Sequence, residues 1–347
     1  MGKSGESWSR AGSPRQSPEA GADCGFPLAK LGRAIQGGAV LRFSSIAELK
    51  DLHEPVHLAL GVFDGVHLGH QAVIGRAVAA AAGGGLAGVL TFDPNPLQVL
   101  APGKAPSKLL ASLDHKAAIL DGLGVDFLLA LPFDRTMAAM AAEEFIGQLV
   151  GAGAVTLVAG EDWRFGRGRL GDRAMLEALA AGLGFRFDAV APVMMDGERI
   201  SSTRIRQAIR DGNLASAAAM LGRPYSVAGR VVHGRKLGRQ LGFPTANLEK
   251  SDEQYPPDGV WAVWVMTPDG SRQPGVANLG MKPTVEGRER LLEVHLMNWE
   301  SDLYDKWIEV EWVAFLRGEQ RFSSLDELKA AIAGDVAVAG QVLGVEP

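Results

Sequence analysis

Residues Gly61–Gln71 read GVFDGVHLGHQ. The five residues before them, Val56–Leu60, are VHLAL, and the segment after them is rich in alanine. This reads as a buried strand, a glycine-punctuated turn and a helix. That order presents backbone N–H groups at a helix N-terminus, where phosphates bind. Two imidazoles, His67 and His70, stand three residues apart, with Gly69 between them leaving room for a ligand to approach. An imidazole is neutral or cationic near neutral pH. Two of them beside exposed N–H groups can stabilise charge developing on a phosphorus centre. The same spacing also fits two solvated turn residues bonded to local backbone.

Outward from this motif, strands and helices alternate. Val40–Phe43, Leu86–Phe92, Phe127–Leu131 and Val155–Ala159 read as strands. Ser45–Leu52, His70–Ala82, Asp114–Leu123 and Ala141–Leu149 read as helices. The alternation predicts a parallel sheet with helices on both faces, and such sheets bind ligands beyond the carboxyl ends of their strands. Three of those ends carry polar or glycine-rich sequence. They are the His motif, the rigid DPNP loop at 93–96, and GEDWRFG at 160–166, which runs on into Arg167-Gly168-Arg169. Glycines with arginines suit an anionic ligand, or form a solvated loop. Ser201, Ser202 or Thr203 is expected to cap a helix running to Leu221. Three hydroxyls with Arg204 and Arg206 match a phosphate site by composition, and equally an ordinary cap with surface charge.

At 347 residues the chain has room for two domains. A net charge of −5 gives no electrostatic argument for nucleic acid or a membrane surface as partner. The single cysteine, Cys24, excludes a disulfide framework within the chain and a cysteine zinc cluster. No apolar run reaches membrane-spanning length, and no secretory h-region is present. The expectation is a cytoplasmic protein, with its oligomeric state open. The motif of P-loop nucleotide enzymes is absent. Residues 1–37, rich in Gly, Ser, Pro and charge, read as a disordered lead-in.

A boundary is expected near Gly222–Pro224, giving segments 1–37, 38–222 and 223–347. Beyond it Ser226–Val232, Gly259–Met266, Pro274–Leu279, Leu291–Met297 and Trp307–Ala314 read as strands without intervening helices. That pattern predicts an antiparallel barrel or sandwich. A helix follows, with Ser324 and Glu327 forming a capping box. Its stripe of Leu325, Leu328, Ile332, Val336 and Val342 is expected to pack on the barrel. Thr245 and Asn247 face the same way in extended chain. Their hydroxyl and amide oxygens are hard donors that suit Mg2+ with phosphates and water. Glu293 and His295 share a strand face opposite Leu292, Val294 and Leu296. Glu293 there is either a general base or a solvent-facing carboxylate.

Five stretches in order carry a resemblance: GVFDGVHLGH (61–70), ISSTRIR (200–206), HGRKLGRQLGFPTAN (233–247), NLGMKPT (278–284) and LEVHL (292–296). Over about Val40–Leu343 the chain resembles the bacterial bifunctional riboflavin kinase/FAD synthetases. The resemblance implies an N-terminal, Rossmann-like FMN adenylyltransferase of the nucleotidyltransferase type and a C-terminal riboflavin kinase barrel. Riboflavin would be phosphorylated to FMN and FMN adenylylated to FAD, each step using ATP with Mg2+.

The motif matches imply that His67 and His70 ligate ATP phosphates, with Gly61, Phe63, Asp64, Gly65 and Gly69 in the same nucleotide motif. They imply that Ser202, Thr203 and Arg206 hold the departing pyrophosphate and that Asp162 lies near adenine and ribose. In the barrel, Gly234, Gly238, Gly242 and Pro244 belong to the nucleotide loop. Thr245 and Asn247 take the metal and phosphate positions, and Glu293 is the base for the riboflavin 5′-hydroxyl.

Three residues depart from the family pattern. Asn95, at a flavin or phosphate contact, replaces a His and cannot become cationic. Lys282 replaces an Arg and loses a bidentate donor. Asp305 replaces a Gly, a turn adjustment. These departures leave two alternatives: a riboflavin kinase with an impaired adenylyltransferase, and a non-catalytic flavin- or nucleotide-binding regulator.

Overall fold

The computed structural model describes residues 40–234, 237–284 and 287–346. The reading of residues 1–37 and the side chain of Lys282 lie outside what is described.

The first part is a parallel sheet of six strands: β1 Leu41–Phe43, β2 Val56–Leu60, β3 Leu86–Asp93, β4 Phe127–Pro132, β5 Ala154–Gly160 and β6 Arg186–Val190. Their order is β1-β4-β3-β2-β5-β6. Around it lie α1 Leu68–Ala81, α2 Pro96–Leu100, α3 Leu113–Gly122, α4 Arg135–Ala139, α5 Ala142–Gly151 and α6 Arg173–Leu183. Every residue of β2 is buried, as expected for a parallel strand covered on both faces. The one polar side chain in that strand, His57, is satisfied by Thr156 and by the Gly84 carbonyl, each at 3.0 Å.

A short hairpin, β7 Met194–Met195 with β8 Glu198–Arg199, leads to two helices, α7 Ser202–Arg210 and α8 Leu214–Leu221. The sequence had suggested one helix here. Gly212, at φ 73°, breaks it, and the Asn213 side chain caps the second piece. Ser45 with Glu48 does form a capping box, but the helix it opens, Ile46–Leu52, is a 3-10 helix. β6, α2, α6 and the β7–β8 hairpin were not anticipated.

The second part is a closed antiparallel barrel of β9 Ser226–Val232, β10 Ala246–Leu248, β11 Gly259–Met266, β12 Arg272–Thr284, β13 Gly287–Leu296 and β14 Trp307–Arg317. A short helix, α9 Leu237–Leu241, precedes β10, and α10 Leu325–Leu343 ends the chain. Ser324 caps α10 by accepting from the Glu327 amide at 3.2 Å, but the Glu327 carboxylate accepts from the Ser323 amide at 3.0 Å, so the expected capping box is only half formed. The stripe is only partly right, since Leu325 and Val342 are 60% and 44% exposed. Val336 packs as expected, and Ala339 and Leu343 join it against Val260, Ala262 and Val276. Asp335 adds a two-pronged bond with Arg317 of β14 at 2.7 and 2.8 Å. Asp305, read from the resemblance as replacing a Gly, sits at φ 60°, a left-handed position that Asp tolerates better than most residues.

One apolar core joins the two parts. It runs from Leu110 and Ile205 through Tyr225 to Val227, Trp261 and Leu292. A buried polar cluster lies beside it. His115 of α3 meets Glu253 at 3.1 Å and Glu309 of β14 at 3.4 Å. Glu253 also accepts from the Ser112 amide at 2.7 Å and the Ala228 amide at 3.0 Å. Among the described residues no helix is long and apolar enough to cross a membrane.

Candidate functional site

The sheet order makes β2 the switch strand. It pairs with β3 on one side and β5 on the other. A crevice forms beyond the carboxyl end of such a strand, and the turn Gly61–His67 lies there. Phe63, Gly65 and Val66 have φ of 50°, 77° and 43°. For a β-branched residue such as Val66 that conformation is costly and persists only when surroundings hold it.

The holding groups are visible. The Val62 carbonyl accepts from Lys116 Nζ at 2.9 Å and Thr91 Oγ1 at 2.8 Å. The Asp64 carbonyl accepts from Ser202 Oγ at 3.0 Å. Gly65 O accepts from Arg223 at 2.9 Å, and Val66 O from Gln71 at 2.9 Å and Arg223 at 3.3 Å.

Several motif residues shape this turn without lining a cavity. Phe63 is 2% exposed and sets its ring edge-on to His70. A Cβ on Gly61 would fall 2.9 Å from the Phe63 ring, and one on Gly65 2.7 Å from Leu110. Gly69 was expected to open space for a ligand. The His67 ring fills that space instead, 3.1 Å from where a Cβ would stand.

His67 caps α1, its Nδ1 accepting from the His70 amide at 3.3 Å. Burial, reinforced by the Arg199 charge, lowers its pKa to about 4. His70 is held well below the usual histidine value by burial, then by His67, Lys116 and Arg199. Both imidazoles are therefore neutral at neutral pH. The His70 Nδ1 is buried with no hydrogen-bond partner among the described residues.

A cavity of about 980 Å³ opens beside His70. Asp64, Asn95, Asp162, Ser202, Thr203 and Arg206 line it with His70, so the structure brings together residues spread over 140 positions of sequence. His67 does not line it and stacks on His70 instead. Asp64 and Arg206 form a buried ion pair, and Arg206 also bonds the Lys108 carbonyl at 2.9 Å. Asp64 Oδ1 accepts from the Leu110 amide at 2.8 Å. Asp162 pairs with Arg199. Asn95 Oδ1 caps α2 through the Leu97 amide at 3.0 Å.

Sequence reading missed much of the wall. Phe92, Phe133, Trp163 and Phe165 make an aromatic side, with Trp163 stacked on Phe165 at 4.4 Å. Arg199 adds positive charge that sequence reading also missed, beside Arg164 and Arg169 of the glycine-arginine segment expected to suit an anion. The Trp and Phe inside GEDWRFG were the available signal. Lys116 is another omission; burial, opposed by Asp64 and Asp93, lowers its pKa to about 8.

The second site is on the outside of the barrel. In the β10–β13 ladder Asn247 stands opposite Glu293, and in the β12–β13 ladder Asn278 does. Residues paired across strands point to the same face, while Leu292, Val294 and Leu296 turn into the core. A Cβ on Gly234 would lie 2.4 Å from the Asn247 amide nitrogen. One on Gly238 would lie 2.3 Å from the Phe243 carbonyl and 3.4 Å from Thr245 Oγ1. Gly242 has φ 89°. The Pro244 carbonyl bonds His295 Nδ1 at 2.8 Å. Gly234 thus lies closely against Asn247 and Pro244 against His295, on the strands that carry the Glu293 face. Among the described residues no group of three or more His, Cys, Asp or Glu could hold a metal. The oxygens of Thr245 and Asn247 fit a hard cation that takes its remaining ligands from phosphate and water.

The chain matches a family model described as FAD synthetase over residues 49–204 and one described as riboflavin kinase over residues 221–343. It is 43% identical to a bifunctional riboflavin kinase/FMN adenylyltransferase of Escherichia coli (strain K12), covering 83% of this chain and 93% of that one. The protein of the same description from Pseudomonas fluorescens is 42% identical, over 84% and 94% of the two chains. A solved structure described as a macrolide-efflux protein from Streptococcus pneumoniae superposes with a TM-score of 0.72 at 32% identity, over 86% of this chain and 99% of that one. This chain belongs to the bifunctional riboflavin kinase/FMN adenylyltransferase family.

Proposed function

We propose that the chain's two activities, riboflavin to FMN and FMN to FAD, are divided between the barrel face and the sheet cavity. On the barrel, the Glu293 carboxylate accepts the proton of the riboflavin 5′-hydroxyl. The freed oxygen attacks the γ-phosphorus of ATP, and ADP leaves. Thr245 and Asn247 would hold Mg2+, which supplies neutralisation of phosphate charge when bound.

At the sheet, a phosphate oxygen of FMN attacks the α-phosphorus of a second ATP, and pyrophosphate leaves. His70, neutral and partly unsatisfied, donates a hydrogen bond to the phosphate oxygens where charge develops. His67 orients it through the ring stack and the helix cap. Ser202 and Thr203, at the start of α7, bind the departing phosphates. Arg206 acts mainly by holding Asp64, and the aromatic wall receives the flavin rings.

The observation that carries this reading is the opposition of Asn247 and Glu293 on one barrel face, neither of them lining the His70 cavity. Chromatography of flavins after incubation with riboflavin, ATP and Mg2+ tests it. FMN followed by FAD is expected. No conversion by folded protein would overturn the reading.

A further inference from the structure

Arg223 lies in the part of the chain matched to riboflavin kinase, yet its side chain reaches back to the adenylyltransferase turn. It follows Gly222, which ends α8 in a left-handed conformation. The residue is 8% exposed. Its Nη2 donates to Gly65 O at 2.9 Å and its Nη1 to Val66 O at 3.3 Å. These are the two left-handed residues directly before His67. The planar fork of a guanidinium suits two neighbouring carbonyls in a way that an ammonium does not. Gln71 completes the grip, bonding both Val66 O at 2.9 Å and Leu221 O at 2.8 Å. The strained turn is therefore clamped to the junction with the barrel. Burying a guanidinium is costly, and its Nε has no partner among the described residues, so the contact is not explained by the stability of the junction alone.

We infer that Arg223 is a positioning residue for adenylyl transfer, fixing the turn that presents His67 and His70. The inference rests on the role given to those histidines above. It follows that the kinase-matched part of the chain completes the adenylyltransferase site.

The test uses the full-length chain carrying Arg223→Lys, which keeps the charge and loses the fork. FAD formation from supplied FMN is expected to fall at least tenfold in kcat, with KM for ATP and FMN within twofold and FMN formation from riboflavin unchanged. Unchanged FAD formation would overturn the inference. So would a parallel loss of both activities with the melting temperature, since that marks a structural buttress. If Arg223→Lys does not fold, Gln71→Met removes the second donor to the same carbonyl and is judged by the same outcomes. His70→Ala run alongside separates the two levels. If it leaves FAD formation intact, the reading of the site fails; if only Arg223 and Gln71 are silent, the clamp alone fails.

Discussion

The imidazoles of His67 and His70 lie face to face, 3.5 Å between ring centroids and 18° between planes. Such a pair in a buried site cannot carry two charges, and burial is the first cause that keeps each neutral. The unfolded chain takes up protons on these groups near pH 6.5, whereas folded His67 does so only near 4. Between those values the unfolded state binds more protons, so stability rises with pH and falls as pH is lowered through the window. Melting temperature followed from pH 7 to 4 is expected to drop less steeply in His70→Asn than in the parent. Identical slopes would contradict this.

The ion pair of Asp64 with Arg206 is almost fully enclosed, with side-chain exposures of 6% and 10%. Asp64→Asn strands the guanidinium in the interior. Losing one partner of a buried pair costs about 3–5 kcal/mol. Urea denaturation is expected to show a loss of that order, accompanied by loss of FAD formation. A cost below about 1 kcal/mol, typical of an exposed pair, would contradict the enclosure.

Gly234→Ala places a methyl group 2.4 Å from the Asn247 amide nitrogen. One of the two must move, and Asn247 is paired in register with Glu293. FMN formation is expected to fall at least tenfold. FAD formation from supplied FMN stays within twofold of the parent. A kinase rate that is unaffected would show that Asn247 needs no such placement.

His115 behaves oppositely to His67. Burial opposes its charge, but Glu253 and Glu309 outweigh burial and raise its pKa to about 10. Its contribution to stability is full below about pH 6.5 and is lost as pH rises through about 10. Lys116 next to it, lowered to about 8, acts with the opposite sign over part of that range, so the comparison must be made against a variant. Between pH 7 and 10, His115→Gln is expected to lose less stability than the parent.

Most strands legible in the sheet are largely buried, β2 throughout, although the exposed β1 was legible as well. β2 and β5 present mostly apolar runs, broken by His57 and Thr156, because helices cover both faces; Val155 is the exposed residue of β5. β6, at the sheet edge, reads RFDAV and is at most half-buried, so its pattern gave no signal. The break between α7 and α8 rests on one glycine inside an otherwise helical run.

At the sheet, the motifs and the resemblance pointed to His70, Ser202 and Asp162, which line one cavity. They could not show that Arg206 is committed to Asp64, 142 positions away. Nor could they show that Phe63 sets its ring edge-on to His70, or that the His67 ring fills the space beside Gly69. Those facts depend on which side chain fills which space, and tertiary packing alone decides that.

The proposed division of labour requires two separable catalytic centres in one chain. Assaying His70→Ala and Glu293→Gln side by side, each checked for folding by its melting curve, tests it most directly. His70→Ala is expected to make FMN from riboflavin and no FAD. Glu293→Gln is expected to make FAD from supplied FMN and no FMN from riboflavin. A folded variant that loses both reactions, or either variant retaining both, would contradict the account.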